Sequence, residues 1–577
     1  MTDTNTYTDR FVKLLAGHPY ICAFAVCLCI HPFFLGAVEN IPANALLTEC
    51  ILVLLSAAAL LFCGYKKGKL NKYPAIGIMA AVSAAVPLLA KQYSASENRA
   101  VWHFAGGCAL TLAVMFISDW KKYRRQMFSF FILGTGFFLK LYYVLGTSVL
   151  SRQHDVQTFD CGEGHAGYIT YLLTERHLPD FDIRERFQFC HPPLSHFCSA
   201  VWIWFNNNCC GIDLNQSRES VQMLALFYSM CIVISAYKIF RHFKLEGAAL
   251  YVPLAVVSFH PQLTFYSGSI NNDALATALM AGSIAALLEW YEKPTYRGII
   301  RLAFCIGLGM MTKLTAGLVA PSTALVFAIV LFKNLKTEWR TILRQFVVFI
   351  VICAPLGLWY GTRNYINYGV PLLYVQELPE GLLQNISGTP FKERITDFSG
   401  YQFKSVFEQW MYISDDGYAG YNEHNPLIAI MKNSLFSEYI NEGNFANMPG
   451  IIKTAKVFFW LSAVMALIAF VTMIISFFRK NKMDLVQKLF FGSFYFLNVI
   501  YLYKMAYDYP FTCTLNFRYI LLTVPVQMLF AGVMLDKLKT SKPKAYKIAG
   551  ISAGVLACSF AVLSTVVYLA VCYVIPE

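Results

Sequence analysis

Apolar runs of about 17–25 residues recur along the chain between short polar stretches, which is the rhythm of helices that cross a bilayer. A hydrocarbon core of ~30 Å takes about 20 helical residues. The runs lie near 18–37, 45–63, 74–90, 101–118, 127–149, 221–239, 248–264, 273–290, 298–313, 315–332, 345–361, 456–478, 486–503, 518–535 and 549–572. The pattern therefore predicts about fifteen transmembrane helices in an all-α polytopic membrane protein. Arg10 and Lys13 precede the first run and no small-residue cleavage pattern follows it, so it is expected to stay as a span rather than act as a cleaved signal.

Composition agrees. With 57% hydrophobic and 14% charged residues, the chain lacks the charged surface that a soluble core of this size requires. The net charge of +13 is carried by alternate connections: Lys66-Lys67, Lys121-Lys122 with Arg124-Arg125, Lys238/Arg241/Lys244, Lys333/Lys336/Arg340, Arg479-Lys480 with Lys482, and Lys537 to Lys547. Connections 38–44 and 265–272 have no Lys or Arg, and 91–100 has two. The positive-inside rule then places the N-terminus in the cytoplasm and the C-terminus outside, as an odd number of spans requires. The excess charge is an orientation signal and implies no nucleic-acid partner.

Three outward segments exceed a turn: 150–220, 362–455 and 504–517. The first contains a short apolar stretch, Leu194–Phe205, preceded by Pro192-Pro193; Trp202 and Trp204 suit a helix lying in the interface. The second is expected to form a small lid without a core of its own. There is no internal repeat. Most of the seventeen cysteines lie in apolar spans, while Cys161, Cys190, Cys198, Cys209, Cys210 and Cys513 face outward at spacings that form no disulfide framework.

The ionisable groups are the candidate chemistry. The stretch 151–196 holds Asp155, Asp160, Glu163, Asp180 and Asp182 with five histidines, directly after a span. Ionisable groups at a membrane boundary are costly and tend to be functional. A second polar knot, Ser269-Ile270-Asn271-Asn272-Asp273, opens the span at 273; Lys313, Arg363 and Arg518 mark outward span ends. Each has a plain structural reading: a solvated loop carboxylate for Asp155, a helix cap for the Asn-Asn-Asp knot, a snorkelling lysine for Lys313. Together they place carboxylates and cations on one face, where a lipid phosphate and a hydroxyl acceptor would meet.

The ordered set His154-Asp155, Gly164-His165-Ala166-Gly167-Tyr168, Leu178-Pro179-Asp180, His191-Pro192-Pro193, His260-Pro261, Ser267 to Leu275, Gly307 to Ala316, Arg363-Asn364-Tyr365 and Phe517-Arg518-Tyr519 resembles the GT-C membrane glycosyltransferases. The family 39 group, the protein O-mannosyltransferases and the lipid A aminoarabinose transferase, is the most similar. The resemblance covers about 125–577, making 126–577 a GT-C catalytic core and 1–125 an N-terminal four-helix addition. It implies inverting transfer of a sugar from a polyprenyl-phosphate donor to a protein, glycolipid or cell-wall acceptor outside the cytoplasm of a plasma or inner membrane.

In such enzymes an acid of the first outer loop is the base. Asp155 holds that place, with His154 before it and Val156 after it where the family often has a second acid. Asp160 and Glu163 remain alternatives. Lys313, Arg363 and Arg518 would bind the donor phosphate; His165, His191, Asn271, Asn272 and Asp273 would line the substrate site. No cofactor is expected, with a divalent metal left open; Cys161, His165 and His191 match no tight zinc spacing. Two other classes compete: a polymerase or ligase using lipid diphosphate donors, and a secondary transporter or lipid flippase, which would place its charges near the midplane.

Overall fold

The computed structural model describes residues 17–31, 120–378, 384–399 and 423–572, with short pieces from 403 to 420. These residues are helical apart from one antiparallel pair, Tyr412–Ile413 with Ala419–Gly420, and a single bridge between Asn385 and Phe511. In chain order the helices are α1 (Pro19–Ile30), α2 (Trp120–Leu145), α3 (Gly164–Thr174), α4 (Leu194–Trp204), α5 (Leu214–Glu219) and α6 (Gln222–His242). There follow α7 (Ala248–Ser258), α8 (Pro261–Gly268), α9 (Asp273–Glu292), α10 (Tyr296–Thr312), α11 (Ala320–Lys333) and α12 (Trp339–Tyr368). The last six are α13 (Phe391–Thr396), α14 (Pro426–Phe436), α15 (Pro449–Phe478), α16 (Leu485–Asp508), α17 (Thr523–Ser541) and α18 (Pro543–Val571).

Among the described residues eight helices are long and apolar enough to cross a membrane, or ten if each of two bent pairs is one span. From residue 127 onward every predicted span meets a helix or a bent pair, with α10 a short one of 17 residues. The run at 18–37 meets α1, of 12 residues. The predicted spans 45–63, 74–90 and 101–118, and so most of the N-terminal addition, lie outside the described residues.

Two details differ from the expectation of simple spans. The run at 248–264 is broken: α7 and α8 meet at 45°. Pro261 supplies no N–H and disfavours helix in the residue before it. The Phe259 carbonyl at the break accepts the Ser564 hydroxyl (2.7 Å), so the bend leaves this group satisfied. The span at 518–535 is likewise preceded by a stretch, Thr512–Ile520, inclined at 42° to α17. Arg363 also lies inside α12 rather than beyond it, because no breaker occurs before Gly369, which ends the helix in left-handed conformation (φ 67°).

The contacts divide the chain into two compact units. One comprises residues up to 179 with 195–234 and 266–274; the other comprises 180–194, 235–265 and 275–577. In the first, Val156, Phe159, Ala166, Ile169, Ala200, Ile203, Val221 and Ile270 form a core. In the second, α10 and α12 pack closely. A Cβ on Gly307 would lie 2.9 Å from Leu356 Cβ, and one on Gly357 3.0 Å from Met310 Sδ. This is the small-residue seam of membrane helix pairs. Within this unit Ile386 and Ala429 pack with Ala506 and Leu515. Ala506 of this cluster belongs to the end of α16.

Candidate active site

In the first unit the loop between α2 and α3 has an unusual backbone. Arg152, Asp155 and Gln157 all adopt positive φ (55°, 57° and 58°). Three non-glycine residues in the left-handed region within six positions store strain that the surroundings must sustain, and such clusters mark functional sites. Two features sustain it here. The carbonyls of Asp155 and Val156 accept the N–H groups of His165 (3.0 Å) and Ala166 (2.9 Å), so the loop itself satisfies first-turn donors of α3. Glu163, at the cap position, makes no side-chain cap bond.

The glycines of Gly164-His165-Ala166-Gly167 make this approach possible. A Cβ on Gly164 (φ 71°) would stand 2.5 Å from the Val156 carbonyl, and one on Gly167 2.6 Å from the Gly162 backbone.

Gln153 ties the loop to the Asn-Asn-Asp knot. Its amide nitrogen donates to the Gly268 carbonyl (2.7 Å) and its oxygen accepts the Ile270 N–H (3.1 Å). Asn271, Asn272 and Asp273 follow directly, all buried, and the Asn271 side chain accepts the Asp273 N–H (3.0 Å), opening α9. The plain cap reading of the knot is thus correct for Asn271. Asp155 is half-buried and His154 buried.

The remaining candidates of this unit are placed otherwise. Asp160 is exposed and pairs with Arg218 (2.8 Å). His165 is buried and its Nδ1 meets His196 Nε2 at 2.8 Å, with Tyr168 stacked on His196 at 4.4 Å. Burial pushes His196 down to about 3, which keeps it neutral.

Lys140 was not expected. It is fully buried in α2 and donates to the Gly136 carbonyl (3.4 Å), while its own carbonyl accepts the Ser267 hydroxyl (3.5 Å). A lone lysine between Leu139 and Leu141 was the available signal.

The second unit carries the three cations. Lys313 closes α10 as an extended residue and is buried, at 8% exposure, with its ammonium 5.3 Å from the centre of the Tyr519 ring. That position opposes snorkelling, which would carry the ammonium outward. Arg518 is also buried, with its guanidinium 4.9 Å from the same ring and Nη2 donating to the Tyr519 hydroxyl (2.9 Å). Two cations therefore lie close to one aromatic ring. Cation–π contact stabilises each.

Arg363 donates to Asn364 Oδ1 (3.0 Å) on the last turns of α12. The 180–194 segment is fastened to the same helix by Tyr360, whose hydroxyl donates to the Phe189 carbonyl (2.9 Å), and by Arg184, which reaches the Tyr368 carbonyl (3.1 Å). His191, in that segment, is partly exposed. Among the described residues no three His, Cys, Asp or Glu side chains gather to hold a metal ion. Cys161, Cys198 and Cys209 are free thiols.

The described residues thus combine apolar helices long enough to cross a membrane with a strained acidic loop and buried cations near helix ends. Residues 202–359, roughly a quarter of the chain, match the family described as dolichyl-phosphate-mannose-protein mannosyltransferase. Over that stretch the chain is similar to the membrane mannosyltransferases that the family describes. The matched stretch contains Asn271, Asn272, Asp273 and Lys313; Asp155, Arg363 and Arg518 lie outside it. No curated protein matches the chain.

Proposed function

We propose that this protein transfers a sugar, with inversion, from a polyprenyl-phosphate donor to an acceptor on the extracytoplasmic side. The match to a family named for dolichyl-phosphate-mannose and protein acceptors carries this reading and points to a mannosyl donor and a protein hydroxyl.

Asp155 is the proposed base. Its support is the loop that holds it: three left-handed residues, the carbonyl contacts to α3 and the Gln153 tie two residues away. A carboxylate suffices, because the prenyl phosphate leaves as an anion without a proton and the acceptor hydroxyl gives up its proton late in the attack. Asp160 is the weaker alternative, since its carboxylate is exposed and already paired with Arg218. Glu163 stays as the other one. Lys313, Arg518 and Arg363 are the proposed partners of the donor phosphate, and Asn271, Asn272 and Asp273 the polar lining beside the base. No cofactor is proposed for the chemistry.

The test is Asp155→Asn in the reconstituted full chain. The amide retains size and hydrogen bonding but takes no proton, so turnover should fall by ~10²–10⁴ at unchanged expression and melting temperature. Transfer at the wild-type rate would remove Asp155 from this role and leave Asp160 and Glu163 to be tested.

A further inference from the structure

Arg518 belongs to no long helix. It lies in the irregular stretch Thr512–Ile520 before α17, and a stretch of that kind does not hold an arginine in place unaided. Its backbone is held instead by α14, an element of the outer lid. Asn433, buried at 1% exposure, grips it with both ends of its carboxamide: Nδ2 donates to the Leu515 carbonyl (2.8 Å) and Oδ1 accepts the Phe517 N–H (2.9 Å). Between these points Asn516 accepts the Arg518 N–H (3.0 Å).

The helix that carries Asn433 is itself anchored. Lys432 forms a fully buried ion pair with Glu423 (2.6 Å), and the Glu423 carbonyl accepts the Thr512 hydroxyl (3.4 Å) at the start of the same stretch. Pro426 and the Asn425 cap, which accepts the N–H groups of Leu427 (2.9 Å) and Ile428 (3.3 Å), fix where α14 begins. Such an investment of buried polar groups secures one geometry rather than adding stability.

We propose that Asn433 is a positioning residue: by clamping the 515–517 backbone it aims Arg518 at the Tyr519 ring, which Lys313 also approaches, for a polyprenyl phosphate head group. The lid thereby sets donor affinity without touching the donor. This inference rests on reading Arg518 and Lys313 as the donor cations.

The experiment measures binding of undecaprenyl monophosphate to the full-length protein in nanodiscs, together with the KM for the sugar-loaded donor and kcat. Asn433→Ala should weaken binding roughly tenfold and raise KM in step, with kcat at saturating donor changed less than about threefold. In an Arg518→Met background the same change should add less than about twofold, because the clamp acts through that arginine. Asn433→Asp keeps the acceptor for Phe517 and loses the donor to Leu515; it should fall between wild type and Asn433→Ala, and it carries the test if the alanine variant does not fold. A purely structural role would lower melting temperature and kcat while leaving lipid affinity unchanged, and would overturn the proposal. So would effects that add independently to those of Arg518→Met. If Arg518→Met itself binds the lipid like wild type, the donor-cation reading fails first.

Discussion

Tyr519 shows how much one side chain can organise. Its ring lies close to both Lys313 and Arg518, so each cation gains an aromatic partner. Removing the Lys313 charge should weaken donor binding by about 1.5–3 kcal/mol, the range for a charge-assisted hydrogen bond. Lys313→Met in a donor titration checks this; unchanged affinity and rate would reduce the lysine to a packing element. His196 yields a different prediction. Burial holds its pKa at about 3 against an ordinary 6.5. A folded value below the unfolded one means that the unfolded chain takes up the proton first. Stability from this group is full above 6.5 and declines as pH falls toward 3. Thermal melts at pH 7.5 and 5 should show a larger loss for wild type than for His196→Asn, and equal losses would contradict a neutral buried imidazole.

At the scale of elements, the join between the acidic loop and α3 is the most exacting feature. Gly164→Ala puts a Cβ at positive φ and 2.5 Å from the Val156 carbonyl. The loop must then shift, and activity should drop at least about tenfold with expression retained, as misplacing a reacting group by ~1 Å costs about that or more. Wild-type activity would show that the loop geometry does not matter to the chemistry. Much of this level was legible in the sequence. Hydropathy located α2, α6, α9 to α12 and α15 to α18 because a bilayer imposes both length and apolarity on each. It missed the break at Phe259-His260 because an apolar window averages across a bend. The Gly164-to-Gly167 motif and the Asn271-Asn272-Asp273 knot were visible as residues, but the Gln153 bonds that join loop and knot were not. A glutamine paired with backbone groups more than a hundred residues away leaves no local pattern. Asn433 was hidden for the same reason.

For the whole molecule, the account depends on orientation and on the donor. Cys161 is exposed and free and lies six residues past Asp155, which makes it a native reporter of the loop. A membrane-impermeant thiol reagent applied to intact cells should label the peptide bearing Cys161. Labelling only after the membrane is opened would place the acid on the cytoplasmic side and reverse the topology read from the cations. The central claim is inverting transfer from a lipid monophosphate donor, and the products test it most directly. Purified protein supplied with α- or β-linked polyprenyl-phosphate-mannose and a serine- or threonine-containing peptide should release polyprenyl monophosphate, equimolar with glycosylated peptide, and the new linkage should have the opposite anomeric configuration from the donor used. Release of polyprenyl diphosphate, or a product that keeps the donor's configuration, would contradict the account.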